Sequence, residues 1–363
     1  LEAALARCRR LPRTPRGRPE PYDPDQAYLA RLSELVSLPR ISSAGLSVVA
    51  DPMHGAARNY LRRLLGPCGL TVHQIRSTAD PRFGGVNPEP SEANLAPLRR
   101  AVRSFHAAVG LATDGDGDRL GVVDASGRFV SSQAIYALLL DYLAGERQLR
   151  GGVVKTVSTT GMIDRLADHY GLPLYQTPVG FKHISRLFVD GQAVIGGEES
   201  GGVGVSPHLP ERDGLFAGLL LLELMAVRGK PLPALLADLE RVTGPHHYRR
   251  RDVSLPEHEA RLASRALAEL ASTPQALPSA LAGRSIRRVD TLDGLKFHLD
   301  DGGWLLFRPS GTEPVIRIYA EAPSPSEAAT LLQAGESLLS RSGGASQSKG
   351  TYHEAPERRG LPS

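Results

Sequence analysis

The sequence contains few cysteines and no long apolar run, and each scarcity excludes a class of protein. Two cysteines in 363 residues cannot build a disulfide scaffold, and they suit a reducing compartment. The longest apolar stretch, 215–222, ends at Glu223 and is far shorter than the about 18 residues of a membrane span. Residues 1–20 are rich in Arg and Pro and contain no apolar signal-peptide core. We therefore expect a cytoplasmic protein with no membrane partner.

Positive charge is also modest, because the formal net charge is only +4. Much of it comes from one N-terminal cluster of arginines, namely Arg7, Arg9, Arg10, Arg13, Arg16 and Arg18. Aromatic residues that could stack on bases do not alternate with these arginines. Nucleic acid is therefore not an expected partner.

The order of apolar and polar segments indicates how the chain is divided. A length of 363 residues predicts two to three domains. Strands and helices alternate up to residue 143 and again over 153–227, which predicts two consecutive α/β domains with parallel sheets. Strands between two helices after Pro245 predict a small C-terminal α+β domain. The predicted domains are 41–148, 149–247 and 248–340, with a linker or remnant at 1–40 and a disordered tail at 341–363.

Two helices of the first α/β domain are predicted with definite starting points. Apolar spacing predicts one helix over 56–65. A second is predicted over 91–102, with Ser91 as its N-cap, because Ser is among the residues that favour this position.

The loop 113–119, Thr-Asp-Gly-Asp-Gly-Asp-Arg, is the clearest chemical signal in the sequence. Its carboxylates, Asp114, Asp116 and Asp118, alternate with residues that allow a tight turn and can converge on one hard cation. A calcium EF-hand is excluded, because the sixth and twelfth loop positions hold Arg119 and Ala125 instead of Gly and Glu. Arg119 suits an anionic ligand shared with the metal.

A second loop, 197–202, reads Gly-Glu-Glu-Ser-Gly-Gly and follows a predicted buried strand. Glu198, Glu199 and Ser200 can hydrogen-bond vicinal sugar hydroxyls at the carboxyl end of a strand, where open α/β sheets bind ligands. Taken alone, an acidic and glycine-rich loop is more often only a connection. Lys182, in a predicted strand-to-helix loop, is a candidate acid/base group or phosphate ligand.

A third loop, 308–314, reads Arg-Pro-Ser-Gly-Thr-Glu-Pro and is followed by Arg317. Two arginines, two hydroxyls and the free backbone amide groups around a glycine form a compact oxyanion cradle, made of Arg308, Ser310, Gly311, Thr312 and Arg317. An incidental Ser-Gly turn is the alternative. Together, the metal, sugar-hydroxyl and phosphate loops describe an enzyme that holds a phosphorylated sugar.

The three loops, in this order and at this spacing, resemble those of the α-D-phosphohexomutases, the superfamily of phosphoglucomutase and phosphomannomutase. The likeness covers roughly residues 25–340. It includes Asp-Pro-Met-His-Gly at 51–55 and Glu-Arg-Asp-Gly at 211–214. The chain is therefore identified as a member of that superfamily, corresponding to its domains 2–4.

The resemblance implies a fold, a set of ligands and a reaction. Two mixed-sheet α/β domains and an α+β domain would belong to a four-domain enzyme. One Mg²⁺ per chain would bind Asp114, Asp116 and Asp118, the sugar would meet Glu198 and Ser200, and the loop 308–317 would hold the phosphate that is not transferred. Arg119 and Lys182 would assist transfer between hexose phosphates and a phosphoserine, with glucose 1,6-bisphosphate as intermediate and activator.

The chain departs from the superfamily pattern at the nucleophile. No Thr-Ala-Ser-His-Asn-Pro-type loop occurs in the 363 residues, and Ser200 and Ser310 match ligand-binding loops instead. The non-Met start at Leu1 favours a mutase whose first domain lies outside this sequence. A binding protein without turnover is the alternative, and in either case this chain is expected to be inactive.

The sugar loop gives a prediction of the hexose. Its Glu-Glu-Ser form resembles that of phosphoglucomutases, whereas glucosamine and dual-specificity members more often carry Glu-Gln-Ser or Glu-Met-Ser followed by Gly-His. The predicted reaction is the interconversion of glucose 1-phosphate and glucose 6-phosphate, with mannose phosphates as the alternative.

Overall fold

The computed structural model describes residues 17–343 and 351–353, apart from 19, 274 and 276. Within these ranges the chain forms three units, each built on its own sheet. We call them the first, second and third unit in chain order. No helix in the described part of the chain has the length and apolarity needed to cross a membrane.

The first unit is a five-stranded sheet with the order β2-β1-β3-β4-β5. Its strands are β1 (Ser47–Asp51), β2 (Thr71–Gln74), β3 (Val109–Thr113), β4 (Leu120–Asp124) and β5 (Phe129–Val130). Its helices are Asp25–Leu35, Leu38–Ser43, Tyr60–Leu65 and Ala96–Ser104, and helix Ser132–Gly145, which follows β5, packs mainly with helices of the second unit. Strands β1, β2 and β3 are parallel, but β4 and β5 are antiparallel to their neighbours. The predicted parallel sheet is thus a mixed one, because the short connection 114–119 forces β3 and β4 into a hairpin.

The second unit repeats this design in a four-stranded sheet with the order β7-β6-β8-β9. Its strands are β6 (Gly152–Thr156), β7 (Leu174–Thr177), β8 (Ala193–Gly197) and β9 (Val203–Val205). Its helices are Met162–Tyr170, Phe181–Val189, Gly214–Arg228 and Leu232–Thr243. Strand β9 is antiparallel to β8, since residues 198–202 are too few for a crossover. Both the predicted metal loop and the predicted sugar loop therefore form hairpin tips.

The third unit is an antiparallel seven-stranded sheet with the order β11-β12-β13-β14-β15-β10-β16. Its strands are β10 (His247–Ser254), β11 (Ala280–Leu281), β12 (Arg284–Asp290), β13 (Leu295–Leu299), β14 (Trp304–Pro309), β15 (Val315–Ala322) and β16 (Thr351–His353). Helices Glu257–Ser272 and Pro325–Gly343 pack with the sheet around one apolar core. The fold class, two mixed α/β units followed by an α+β unit, is confirmed; the exact domain boundaries stay a prediction.

The core of the first two units is continuous. One apolar cluster runs from Leu32 to Leu239 and includes residues of both sheets. Helices Ser132–Gly145 and Gly214–Arg228 lie inside it and are buried on nearly every side. This explains the apolar stretch 215–222, because a helix without a polar face must be buried. The first two units are thus joined by hydrophobic packing.

A buried polar cluster, which we call the seam, joins the second and third units. Glu321 is 1% exposed, and it accepts hydrogen bonds from the Gly161 amide (2.7 Å), Trp304 Nε1 (3.0 Å) and His246 Nδ1 (3.1 Å). Burial alone would raise the pKa of Glu321, but the hydrogen bond and charge of His246, followed by bonds from Thr160 and the Gly161 amide, outweigh it and lower the pKa to about 2. The buried carboxylate of Glu321 therefore accepts hydrogen bonds from both the second unit (Gly161) and the third unit (Trp304).

The seam also contains a buried lysine. Lys296 Nζ donates to the Val157 carbonyl (2.6 Å) and lies 3.8 Å from the ring centroid of Trp304. Burial, followed by the nearby charge of Lys155, lowers the pKa of Lys296 to about 7. The second and third units are thus held together by polar groups as well as by apolar contacts.

The two helix starts in the first unit differ from the prediction. The first helix begins at Tyr60 and not at 56, because the Ala56 amide bonds to the Gly115 carbonyl (2.9 Å) outside any helix. Ser91 makes no side-chain cap; a short 3-10 helix, Glu92–Leu95, follows it, and the α-helix begins at Ala96. Pro97 explains the second shift, because proline is tolerated only in the first turn of a helix.

The two ends of the chain are described only in part. Residues 1–16 of the predicted linker lie outside the described residues. In the predicted disordered tail, 341–343 continue the last helix and Thr351–His353 pairs with β10, which differs from the prediction at these positions. The remaining tail residues lie outside the described ones.

Candidate active site

The three aspartates of the loop 113–119 converge at the tip of the hairpin between β3 and β4. One carboxylate oxygen from each of Asp114, Asp116 and Asp118 lies within 4.8 Å of the others. The Gly117 and Arg119 amides donate to Asp114 Oδ1 at 3.1 and 3.0 Å, which curls the loop around this buried side chain. The backbone therefore brings the carboxylates together, as the alternating glycines predicted.

The carboxylates of this cluster repel one another, as the pKa of Asp118 indicates. Burial, followed by the charge of Asp114, raises the pKa of Asp118 to about 7. Burial also acts on Asp114, but hydrogen bonds from the Arg119 backbone and side chain outweigh it, so the pKa of Asp114 is lowered. Carboxylate oxygens at this spacing are the donors that Mg²⁺ prefers, and a divalent cation would relieve their repulsion. The residues present therefore fit a magnesium ion.

Arg119 is held on two sides beside the cluster. Its Nε lies 2.5 Å from Asp114 Oδ2, and its Nη1 lies 3.1 Å from Glu89 Oε1. Its backbone pairs with Gly202, at the end of the sugar loop, in an antiparallel bridge. Arg119 thus lies where the first and second units meet. Its guanidinium is held by two carboxylates of the first unit, Asp114 and Glu89.

The loop 197–202 presents Glu198 from a buried position. This side chain is 4% exposed; its Oε1 accepts from the Gly180 amide (3.0 Å) and its Oε2 from Arg212 Nη1 (3.0 Å). Burial, then the charge of Glu199, raises the pKa of Glu198 although Arg212 opposes the shift. Ser200 is half-buried at the tip of the same loop. Each carboxylate oxygen of Glu198 still has a lone pair for a hydroxyl donor.

Arg212 links the metal loop to the sugar loop. Its Nη2 lies 2.5 Å from Asp118 Oδ2, while its Nη1 bonds to Glu198. Sequence reasoning found Arg212 only as part of the Glu-Arg-Asp-Gly match and gave it no role. These two contacts could not be read from the sequence, because Asp118 and Glu198 lie 94 and 14 positions away along the chain.

Backbone contacts reinforce this link. The Leu120 amide donates to the Gly201 carbonyl at 3.1 Å, and the Gly214 amide to the Gly117 carbonyl at 3.0 Å. A Cβ on residue 214 would lie 2.8 Å from the Arg119 carbonyl carbon and 2.9 Å from the Gly117 oxygen, so glycine is required there. The metal and sugar loops are therefore in direct contact.

The predicted phosphate loop is a turn on the third unit. Arg308 near the end of β14 and Arg317 on β15 are direct cross-strand partners, so they lie on the same face of the sheet. Ser310 Oγ accepts from the Glu313 amide at 3.3 Å, while Gly311 and Thr312 are exposed at the tip. The structure thus has two arginines beside an exposed turn that carries the hydroxyls of Ser310 and Thr312.

Each arginine of this loop is already next to a carboxylate. Arg308 Nε donates to Asp293 Oδ2 at 2.8 Å, and Arg317 Nε lies 3.7 Å from Asp252 Oδ2. Burial would lower the pKa of Arg308, but the hydrogen bond from its side chain to Asp293 outweighs it and raises the pKa. Asp293 was not found by sequence reasoning, because an Asp-Gly pair between two strands is typical of a plain hairpin turn.

Lys182 lies in the first turn of helix Phe181–Val189, with its side chain exposed. The preceding Gly180, at φ +124°, donates its amide to Glu198. Lys182 is therefore two residues along the chain from Gly180, whose amide bonds to Glu198 of the sugar loop. The candidate site residues thus form one contiguous metal-and-sugar group on the first two units and a separate phosphate group on the third.

Comparison with known proteins places these units in one family. Family models for phosphoglucomutase/phosphomannomutase match residues 26–127 (alpha/beta/alpha domain II), 131–242 (alpha/beta/alpha domain III) and 259–336 (C-terminal domain). These matches cover well over half of the chain. The chain therefore belongs to the phosphoglucomutase/phosphomannomutase family, which confirms the membership predicted in the sequence analysis.

Individual relatives agree with this assignment. A phosphoglucomutase/phosphomannomutase of Thermococcus kodakarensis is 33% identical over 86% of this chain and 64% of the relative. A protein of Pyrococcus abyssi named "Probable phosphoglucosamine mutase" is 30% identical over 91% of this chain and 69% of the relative. The crystal structure of a "putative phosphomannomutase" from Thermus thermophilus superposes with a TM-score of 0.76 at 36% identity, over 89% of this chain and 67% of that one. The chain thus spans about two thirds of the length of these relatives.

Proposed function

We propose that this chain carries the metal-, sugar- and phosphate-binding parts of a phosphohexomutase, which interconverts glucose 1-phosphate and glucose 6-phosphate through glucose 1,6-bisphosphate. The observation that supports this most directly is the bridge from Asp118 through Arg212 to Glu198, with 2.5 and 3.0 Å contacts. It joins a cation site to a hydroxyl-binding carboxylate, as the transfer of a phosphoryl group to a sugar requires.

The metal site of the proposal consists of Asp114, Asp116 and Asp118. When bound there, Mg²⁺ would neutralise negative charge that develops on a transferring phosphoryl group. Arg119 adds fixed positive charge beside the cluster, held by Asp114 and Glu89. Because both partners restrain the guanidinium, it needs little reorganisation when an anion arrives.

The remaining residues orient the sugar phosphate. Glu198 accepts hydrogen bonds from sugar hydroxyls, and Ser200 accepts or donates them. Lys182, near this loop, is the candidate acid/base group. The phosphate that is not transferred is held at the other end by Arg308, Ser310, Gly311, Thr312 and Arg317. Binding at both ends fixes the sugar while either phosphate can face the metal loop.

The choice of hexose rests on the Glu-Glu-Ser form of the sugar loop, which favours glucose phosphates, with mannose phosphates as the alternative. The names of several relatives add glucosamine phosphates as a third candidate. Parallel calorimetric titrations with glucose, mannose and glucosamine 6-phosphates would compare the three. A clear preference for either of the last two would overturn the assignment to glucose.

Replacing Arg308 or Arg317 by Ala is expected to weaken the binding of glucose 1-phosphate. The expected loss is about 1.5–3 kcal/mol, the contribution of a hydrogen bond to a charged group. Calorimetric titration of each variant would measure it, with free glucose as the control ligand. An equal loss for glucose and glucose 1-phosphate would show that the variants had damaged the fold and not the phosphate site.

A purified polypeptide of these 363 residues is expected to bind Mg²⁺ weakly and sugar phosphates detectably, without mutase turnover. Turnover in this family needs a phosphorylated serine, and the sequence contains no Thr-Ala-Ser-His-Asn-Pro-type loop to supply it. Without the serine phosphate oxygen, water must complete the coordination around the three aspartates, which lowers affinity.

A coupled assay with glucose 1-phosphate, catalytic glucose 1,6-bisphosphate and Mg²⁺ tests this expectation, with Asp116→Ala as the matched variant. Turnover that persists in the variant would indicate a contaminating mutase. Turnover that is present in the wild type and vanishes in Asp116→Ala would contradict the prediction, because it would show that a nucleophile lies within this chain.

A further inference from the structure

Asp293 occupies an unusual position between the second and third units. It lies in the turn between β12 and β13, and its Oδ2 accepts two hydrogen bonds from different units. One comes from Arg308 Nε of the third unit (2.8 Å), the other from the Val179 amide of the second unit (2.9 Å). A single carboxylate oxygen therefore fixes the distance between a predicted phosphate arginine and the loop 177–180.

The contact with Arg308 sets the direction of its guanidinium. The hydrogen bond to Asp293 is made by Nε, and the described residues show no hydrogen bond from Nη1 or Nη2 to Asp293. Those two nitrogens are the ones that a phosphate engages in a bidentate pair. Asp293 thus orients Arg308 without taking the donors that an oxyanion needs.

The turn that carries Asp293 packs directly on the backbone of Arg308. Gly294 has φ +104°, and a Cβ there would lie 3.2 Å from Arg308 Cα and from the Phe307 carbonyl carbon. A side chain at this position would push the turn away from β14. The close approach that glycine permits allows the Asp293 carboxylate to reach Arg308 Nε.

The contact with Val179 connects the same carboxylate to the sugar loop. The next amide along the chain, Gly180, donates to Glu198 Oε1 at 3.0 Å. Glu198 in turn bonds to Arg212, which reaches Asp118 of the metal loop. Polar contacts, joined by the backbone between Val179 and Gly180, therefore run from the metal loop through the sugar loop to Arg308, and Asp293 links them to the third unit.

We propose that Asp293 is the positioning residue for the phosphate site, which directs Arg308 toward the phosphate and fixes it relative to the sugar loop. This inference rests on the function proposed above for Arg308. Asp293 touches no substrate in this account and acts only through the arginine.

A double-mutant cycle tests the proposal. The affinity for glucose 1-phosphate would be measured by calorimetry in the wild type, Asp293→Ala, Arg308→Ala and the double variant. Asp293→Ala is expected to weaken binding about tenfold in the wild-type background, and less than about twofold when Arg308 is already Ala, because residues that act as a unit are non-additive. An equal tenfold loss in both backgrounds, or no loss in either, would overturn the proposal.

Two further variants separate positioning from general damage. Asp293→Asn keeps an oxygen acceptor for Arg308 Nε and should recover part of the lost affinity. Gln176→Ala removes the Gln176–Asp290 hydrogen bond (2.5 Å), which joins the same two units close by, and should leave binding within about twofold of the wild type. A tenfold loss in Gln176→Ala would show that contact between the units matters, and not the direction of Arg308.

The cycle also separates a failure of the phosphate site from a failure of Asp293. If Arg308→Ala binds glucose 1-phosphate as well as the wild type, the proposed phosphate site itself is wrong. If Arg308→Ala binds poorly while Asp293→Ala is normal, the phosphate site stands and only the role of Asp293 fails.

Discussion

Glu321→Leu is expected to lower the free energy of unfolding of the third unit by about 3–5 kcal/mol, as happens when one partner of a buried charged network is removed. Leucine fills most of the volume but leaves the Gly161 amide, Trp304 Nε1 and His246 Nδ1 without their acceptor. Urea unfolding followed by far-UV circular dichroism would measure the loss. The same substitution at the exposed Glu269, on helix Glu257–Ser272, should change stability by less than about 0.5 kcal/mol.

The pH dependence of Glu321→Gln provides an independent check of the same network. The pKa of Glu321 is about 2 in the folded protein and near 4.5 otherwise, so its charge stabilises the fold fully above pH 4.5 and progressively less as the pH falls to 2. The stability difference between wild type and Glu321→Gln should therefore shrink over this range. A difference that stays constant from pH 6 to pH 2 would contradict the assignment of a buried, ionised carboxylate.

Gly214→Ala is expected to disrupt the metal loop from outside it. The added methyl group would overlap the Arg119 carbonyl group and the Gly117 oxygen, both backbone groups that cannot rotate away. Overpacking of this kind costs about 1–3 kcal/mol, and here the strain falls on residues that lie between the aspartates and next to them. We expect at least a tenfold loss of Mg²⁺ affinity in calorimetric titration, together with a lower melting temperature.

Gly218→Ala, one turn further along the same helix, is the matched control. Its Cβ would lie 3.3 Å from Leu111 Cδ1, the end of a side chain that can shift. Mg²⁺ binding should be unchanged in this variant. Equal Mg²⁺ affinity in Gly214→Ala and Gly218→Ala would show that the helix does not hold the metal loop in place, while a wild type that binds no Mg²⁺ would contradict the metal site itself.

Local sequence was sufficient to locate most helices and the three loops that carry the candidate site residues. Helix Gly214–Arg228 is almost wholly apolar, so its position followed from composition alone. The alternating Asp and Gly of the metal loop lie within seven residues of chain, and the bonds from the Gly117 and Arg119 amides to Asp114 are local to it. Such features depend on neighbours in sequence, which is why their predicted and observed positions agree.

Strand β10 shows where local reasoning failed. Its sequence, His-Tyr-Arg-Arg-Arg-Asp-Val-Ser, has no period-two apolar pattern, so it was not predicted as a strand. It nevertheless pairs along its whole length with β15 inside the sheet. Its arginines have partners on both faces, since Arg250 bonds to Asp252 and Arg251 contacts Glu336 of the last helix. Because a partner of Arg251 lies on the distant last helix, the burial of this charged strand cannot be recognised from its own composition.

The sequence by itself determined which chemical groups this protein possesses and which unit carries each of them: three aspartates, an acidic sugar loop and two arginines beside a Ser-Gly turn. Only the tertiary structure decided how those groups act together. Arg212 and Asp293 carry no signal of their own, and each gains its role from partners on another loop or another unit. The physical reason is that a motif is a property of adjacent residues, whereas the direction of a charged side chain is set by the oppositely charged groups that folding brings to it.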